Sequence, residues 1–232
     1  MGKIRIYWIT ALAIYIFFVF PGVSSAWHDE THIAIAKITG YYKWFNACGA
    51  DMAKLKAGDK ESHNHYCLSN PPGRMVTSEL VMGQVQKYNQ VDIGGHLYGA
   101  ILASVRNYIM VKRMGKYAEY HLAFCAHYVG DLSQPLHNTV YNAFNQKYHV
   151  RIDGIINDEV LDNFHKINIY HITIESEKDL AKEIARIANL SRALGHKIEK
   201  EDRLLTKQEA YTQISHSASL FKAILKYTEK MK

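Results

Sequence analysis

One run of eleven residues, His127-Tyr-Val-Gly-Asp-Leu-Ser-Gln-Pro-Leu-His137, constrains this chain more than any other. As a helix up to Leu132 it sets His127 and Asp131 four apart on one face, where both side chains reach the same cation. Pro135 cannot continue that helix, because its ring locks φ and it has no N–H to donate. The chain must bend there, and His137 can swing back toward a neighbouring ion. Twelve residues later stands His149, and Asp153 repeats the four-residue His/Asp spacing. Two such pairs with an imidazole between them describe a cluster of metals better than a single ion.

The ends of the chain set the context. Residues 1–26 carry Lys3 and Arg5, an apolar run from Ile6 to Phe20, then Pro21, Gly22, Ser24, Ser25 and Ala26, the pattern of a cleavable secretory signal. The apolar run is short for a membrane span. The expectation is a secreted or periplasmic protein whose mature chain, residues 27–232, starts at Trp27 and folds as one domain. Loss of Lys3 and Arg5 lowers the formal charge from +6 to +4, a mild basicity that suits anionic substrates or surfaces without implying nucleic-acid binding.

Cys48, Cys67 and Cys125 remain after cleavage, an odd number that permits at most one internal pair. Cys48 and Cys67 flank a loop-rich segment and are the candidate pair. Cys125, between Phe124 and Ala126 on an expected helix, reads as a small buried apolar residue. With no Cys-x-x-Cys present, metal binding must come from His and carboxylate.

Elsewhere the periodicity is helical. Apolar residues recur at three and four through Ile33–Tyr42, Leu97–Ile109 and Lys116–Leu132. Ser176 opens a further helix through Leu180, Ile184 and Ile187 that Gly195 is expected to stop. Thr206 with Glu209 forms a capping-box signature before Tyr211 and Ile214. No alternating strand pattern exceeds five residues apart from the apolar/polar mix of Ile167–Ile174. The expected fold is all-α, a single multi-helix bundle with one long loop from Gly58 to Arg74.

His127, Asp131, His137, His149 and Asp153 cannot saturate more than one or two ions, so further ligands are needed. Asp51 and His65 bracket the start of the long loop, with Asp59 and His63 as alternatives, and the mature terminus offers Trp27 and His32. On these residues the chain resembles the superfamily of zinc-dependent phospholipases C and the single-strand-specific zinc nucleases of fungi and plants, over Trp27 to about Val160. The resemblance implies a tri-zinc cleft. Asp51, His65, His127 and Asp131 would hold one zinc, and His137, His149 and Asp153 a second. Trp27, through its amine and carbonyl, would hold the third with His32 and the bridging Asp131.

Two zincs roughly 3.5–4 Å apart can clamp a phosphodiester, and zinc-bound water loses a proton near a pKa of about 7. The expected reaction is hydrolysis of a phosphate ester by zinc-bound hydroxide, with Asp51 as the catalytic residue that orients the water or acts as its base. The choice of substrate turns on small departures. After His65 come Tyr66, Cys67 and Leu68, so the aromatic of the nucleases is kept but their base-reading Asp is replaced. The short His137–His149 spacing, and Tyr148-His149 followed by Asp153-Gly154-Ile155-Ile156, sit nearer the phospholipases, where a Glu usually stands in place of Asp153. The favoured expectation is a phospholipase C-like enzyme acting on a phospholipid or other phosphodiester, with peripheral membrane contact and a monomeric state. The alternatives are a nuclease acting on single-stranded DNA or RNA and a non-catalytic zinc-binding relative.

Plainer readings apply to most of the thirteen histidines. His28, His63, His96, His121, His165, His171, His196 and His216 are expected to be core or surface residues. Tyr66, Tyr141 and Phe144 are candidates for a pocket lining, though aromatics more often pack. Lys112, Arg113 and Lys116 form a basic cluster at a turn, and the charge mix from Glu175 to Arg203 reads as a solvated helix face.

Overall fold

The computed structural model describes residues 27–231, so the expected signal peptide lies outside the described residues. Among the described residues ten α-helices follow one another: α1 (Asp29–Ile38), α2 (Gly49–Ala57), α3 (Asp59–Ser62), α4 (Ser78–Gln84), α5 (Leu97–Arg113), α6 (Glu119–Leu132), α7 (Ala143–Asp153), α8 (Asn157–Val160), α9 (Glu177–Lys200) and α10 (Lys207–Lys230). Single 3₁₀ turns occur at Trp44–Asn46, Val85–Lys87, Pro135–Asn138 and Phe164–Lys166. Among the described residues there is no strand, and the fold is all-α as expected. No described helix is long and apolar enough to cross a membrane.

The centre of the bundle is α6, which packs against α5, α10, α2 and α1. Its last turns are almost entirely enclosed, from Cys125 through Leu132. One apolar cluster joins α6 to α5, α9 and α10 through Leu122, Val129, Leu102, Ile184 and Phe221. A second gathers Trp27, Ile35, Leu136, Ile152 and Ile214. Polar ligands therefore sit on a helix that apolar packing already holds in place, which fixes their rotamers without any ion.

The terminal helices start where capping predicts. Ser176 accepts from the Asp179 amide, and Thr206 forms a reciprocal box with Glu209, each cap contributing about 1 kcal/mol. Other expectations are corrected. Gly195 does not stop α9, which runs on to Lys200. A Cβ there would lie 2.7 Å from Thr139 Cγ2 and 2.9 Å from the Pro135 carbonyl oxygen, so glycine serves the close approach of α9 to the Pro135 turn. The helix expected from Lys116 begins at Glu119, following Gly115 at φ +70°. The Gly58–Arg74 loop is broken by α3.

Cys48 and Cys67 are not bonded to each other. Cys48 Sγ donates to the Asp29 carbonyl, while Cys67 is buried and accepts from Gln84 Nε2 at 3.3 Å. Cys125 is buried as expected. The Ile167–Ile174 segment is extended but pairs with no strand. Its amides at Asn168 and Tyr170 donate to Ser215 and Ser219 of α10 at 3.0 and 2.8 Å.

Candidate metal centre

Four helices and one turn converge on the residues singled out above. α6 brings His127 and Asp131, α1 brings His32, α2 brings Asp51, α7 brings His149 and Asp153, and His65 and His137 come from the segment after α3 and from the Pro135 turn. Three groups each set three donor atoms within 4.8 Å of one another: His32, His127 and Asp131; Asp51, His65 and His127; His137, His149 and Asp153. The two oxygens of Asp131 face different groups. Oδ2 lies 2.9 Å from His65 Nδ1 and 3.5 Å from His127 Nε2, whereas Oδ1 lies 3.4 Å from His32 Nε2.

Local structure explains how the sequence achieves this. The His32 ring stacks on His127 with centroids 3.7 Å apart, and it also meets Gly130, where a Cβ would sit 2.5 Å from His32 Nδ1. The Gly before Asp131 is thus the seat of a ligand from another helix. Gln134 accepts from the His137 amide at 3.2 Å and donates to Asp153, so one side chain shapes the turn and aims a carboxylate.

Each of three imidazoles donates Nδ1–H to a neutral acceptor: His127 to the Ala47 carbonyl (2.8 Å), His137 to the His65 carbonyl (2.6 Å) and His149 to Asn145 Oδ1 (2.6 Å). With those protons placed, Nε2 of His137 and of His149 carries a lone pair, as does Nε2 of His127 when that ring is neutral. Nε2 of His137 and Nε2 of His149 face each other at 3.1 Å, and Asp153 Oδ2 stands 3.4 Å from the latter. Three electron-rich atoms in a buried corner repel unless a cation lies among them. His127 Nε2, both His32 ring nitrogens, Asp131 Oδ1 and Asp153 Oδ2 are likewise buried without a hydrogen-bond partner. Such orphaned polar atoms are costly in an apolar interior, and the set of residues fits divalent cations of the kind that imidazole and carboxylate select.

The titration behaviour agrees. Burial, and after it the His127 charge, holds His32 well below the ordinary histidine value. Burial likewise depresses His65 and His137, and brings His149 down to about 4. Burial would lower His127 too, but Asp51 and Asp131 outweigh it and raise His127 to about 9, so its imidazolium stands in for a cation. Asp131 and Asp153 are pushed up by burial.

A pH dependence follows for the metal-free protein. Between the unperturbed histidine value of 6.5 and about 4, the unfolded chain binds protons on His32, His65, His137 and His149 that the folded chain does not, so stability falls as pH falls. The raised carboxyls of Asp131 and Asp153 act in the opposite sense. Four groups against two leave acidification destabilising. Melting of chelator-treated protein should shift to lower temperature between about pH 7 and pH 4.5, and a flat or rising profile would contradict this.

Other residues fall where the plain reading put them. Asp59 is exposed and His63 Nδ1 accepts from the Asp92 amide, so neither displaces Asp51 or His65. None of the histidines set aside above enters a metal-holding group among the described residues. Trp27 is fully buried, its indole donating to Ser133 Oγ at 3.3 Å, and the next amide, His28, donates to the Asp153 carbonyl at 3.3 Å.

A hollow of about 330 Å³ opens beside the centre, lined by His65, His137 and His149 together with Lys54, Tyr66, Leu68, Ile93 and Tyr141. Phe144 instead packs on the second apolar cluster. Lys112 and Arg113 line a different hollow with Thr228 and Met231. Sequence reasoning missed Lys54, whose Nζ approaches Asp51 Oδ1 to 2.6 Å. Its spacing of three from Asp51 on α2 was the available signal.

Fold and site together define an all-α protein with three buried His/carboxylate groups, each able to hold a metal ion. No protein-family model, curated protein or solved structure matches the chain.

Proposed function

We propose that this chain is an exported zinc-dependent phosphodiesterase of the phospholipase C type, acting as a monomer. The observation that carries the reading is the convergence of lone pairs, above all the two Nε2 atoms of His137 and His149 at 3.1 Å, on the edge of an open hollow. Ligands rich in His and carboxylate and free of thiolate suit catalytic zinc rather than a closed structural site. When bound, such ions neutralise phosphoryl oxygens and make water acidic enough to attack near neutral pH.

The chain's own residues supply position and charge. Lys54 places a cation at the cleft wall, where it can meet a phosphoryl oxygen. Asp51 keeps 18 % of its side chain open. Burial raises its carboxyl, but the neighbouring His127 charge and Lys54 outweigh burial and hold it well below the usual carboxylate range. A carboxylate that weakly basic orients an attacking water better than it removes a proton.

Lipid is favoured over nucleic acid by the rim. Ile93 is 84 % exposed at the hollow, and Leu55, one turn beyond Asp51 on α2, is 75 % exposed. Both suit shallow contact with a lipid surface. A nuclease reading draws on Tyr66 and Tyr141, which offer faces for base stacking.

The test is a panel of phosphatidylcholine vesicles, single-stranded DNA, RNA and bis(p-nitrophenyl) phosphate, with and without chelator. Hydrolysis of phosphatidylcholine that stops with chelation and returns with zinc is expected. Cleavage confined to the nucleic acids would replace this reading with the nuclease. Zinc bound with no turnover of any substrate would make the chain a non-catalytic binder.

A further inference from the structure

The ring of His65 lies among three carboxylates, two beside one nitrogen and one beside the other. Nδ1 points to the metal side, 2.9 Å from Asp131 Oδ2 and 3.7 Å from Asp51 Oδ1. Nε2 faces the opposite direction, 3.3 Å from Glu61 Oε1. Glu61 stands one helical turn before His65 and is only 4 % exposed. Its Oε1 also accepts from the Tyr128 hydroxyl at 2.5 Å, and its Oε2 accepts from Asn64 Nδ2 at 3.1 Å. Tyr128 is the neighbour of His127 on α6, and Asn64 is held in turn by the Asn89 amide (3.1 Å) and His96 Nε2 (2.9 Å).

Two features set this contact apart. His127, His137 and His149 rest their outer nitrogens on neutral oxygens, whereas His65 alone rests on a carboxylate. Among the described residues no Lys or Arg forms an ion pair with Glu61; its sole ion-pairing partner is His65. A carboxylate enclosed in this way is costly unless a positive charge compensates it. The compensation available is relayed through the imidazole, whose N–H becomes a stronger donor once its other nitrogen bears a cation.

Resting on the zinc reading above, we propose that Glu61 is a positioning residue for the metal centre: it holds His65 in the tautomer that presents Nδ1 to the ion, and lends its charge to that ligand. Tyr128 and Asn64 lock the carboxylate in place. A simpler role, satisfying the buried Tyr128 hydroxyl and Asn64 amide, would need no charge at all.

Glu61→Gln separates the two, because the amide oxygen still accepts from Tyr128 and Asn64 Nδ2 keeps Asn89 Oδ1 as an acceptor at 2.8 Å while the charge is gone. Competition with a chelator on purified protein should show one zinc bound about 10- to 100-fold more weakly, with the other two unchanged and the metal-free protein melting close to wild type. Wild-type affinity at all three ions in Glu61→Gln overturns the proposal. Should Glu61→Gln fail to fold, Glu61→Asp decides: it keeps the charge but withdraws it by one methylene, an intermediate loss of affinity is expected, and unchanged affinity refutes. A wild-type protein that takes up no zinc would instead sink the metal reading itself.

Discussion

Asp131→Asn is expected to strip two of the three ions from the protein and to lower phosphodiester hydrolysis by well over a hundredfold, beyond the roughly 10- to 100-fold typical of indirect metal contacts. The reason is the division of its carboxylate, with Oδ2 facing His65 and His127 and Oδ1 facing His32. An amide keeps one acceptor oxygen and replaces the other by an N–H donor, which repels a cation on that side. His137→Ala, in contrast, should cost one ion. The metal-free Asp131→Asn protein should melt no lower than the metal-free wild type, since burial already pushes the Asp131 carboxyl up toward a neutral form that an amide resembles. Elemental analysis and a chelated melting curve measure both; two retained ions in Asp131→Asn would refute the bridging role.

The centre of this site was legible because helix geometry turns short spacings into neighbours. His127 with Asp131, and His149 with Asp153, needed only the i, i+4 rule, and the Pro135 bend accounted for His137. What the sequence concealed are the partners that approach from elsewhere. Glu61 behind His65 and Asn145 behind His149 are also four residues apart, yet nothing in composition says that those faces point inward. Gly130 and Gly195 illustrate the same gap. Each reads locally as a weak helix residue, and each is there because another segment, His32 in one case and the Pro135 turn in the other, occupies the space of a side chain. The Cys48–Cys67 pairing failed because flanking a loop says little about where two thiols end up: Cys48, just before α2, meets Asp29 at the start of α1, and Cys67 meets Gln84.

The second large effect concerns the proposed export, with cleavage after Ala26. A protein that begins at Trp27 presents an α-amine, a ligand once it loses its proton near a pKa of about 8. Any residue placed before it converts the amine to an amide with no lone pair to give. The surroundings hold this stretch in place beside the candidate centre: Trp27 is 0 % exposed, its indole is tied to Ser133 two residues after Asp131, and the following amide is tied to the Asp153 carbonyl. His32 lies five residues on, with neither ring nitrogen satisfied. Adding a single alanine before Trp27 should therefore release one ion, leave the His137/His149/Asp153 ion in place, and abolish most hydrolysis. Equal zinc content in the two proteins would show that the third ion, if bound, is held by His32 and Asp131 without the terminus.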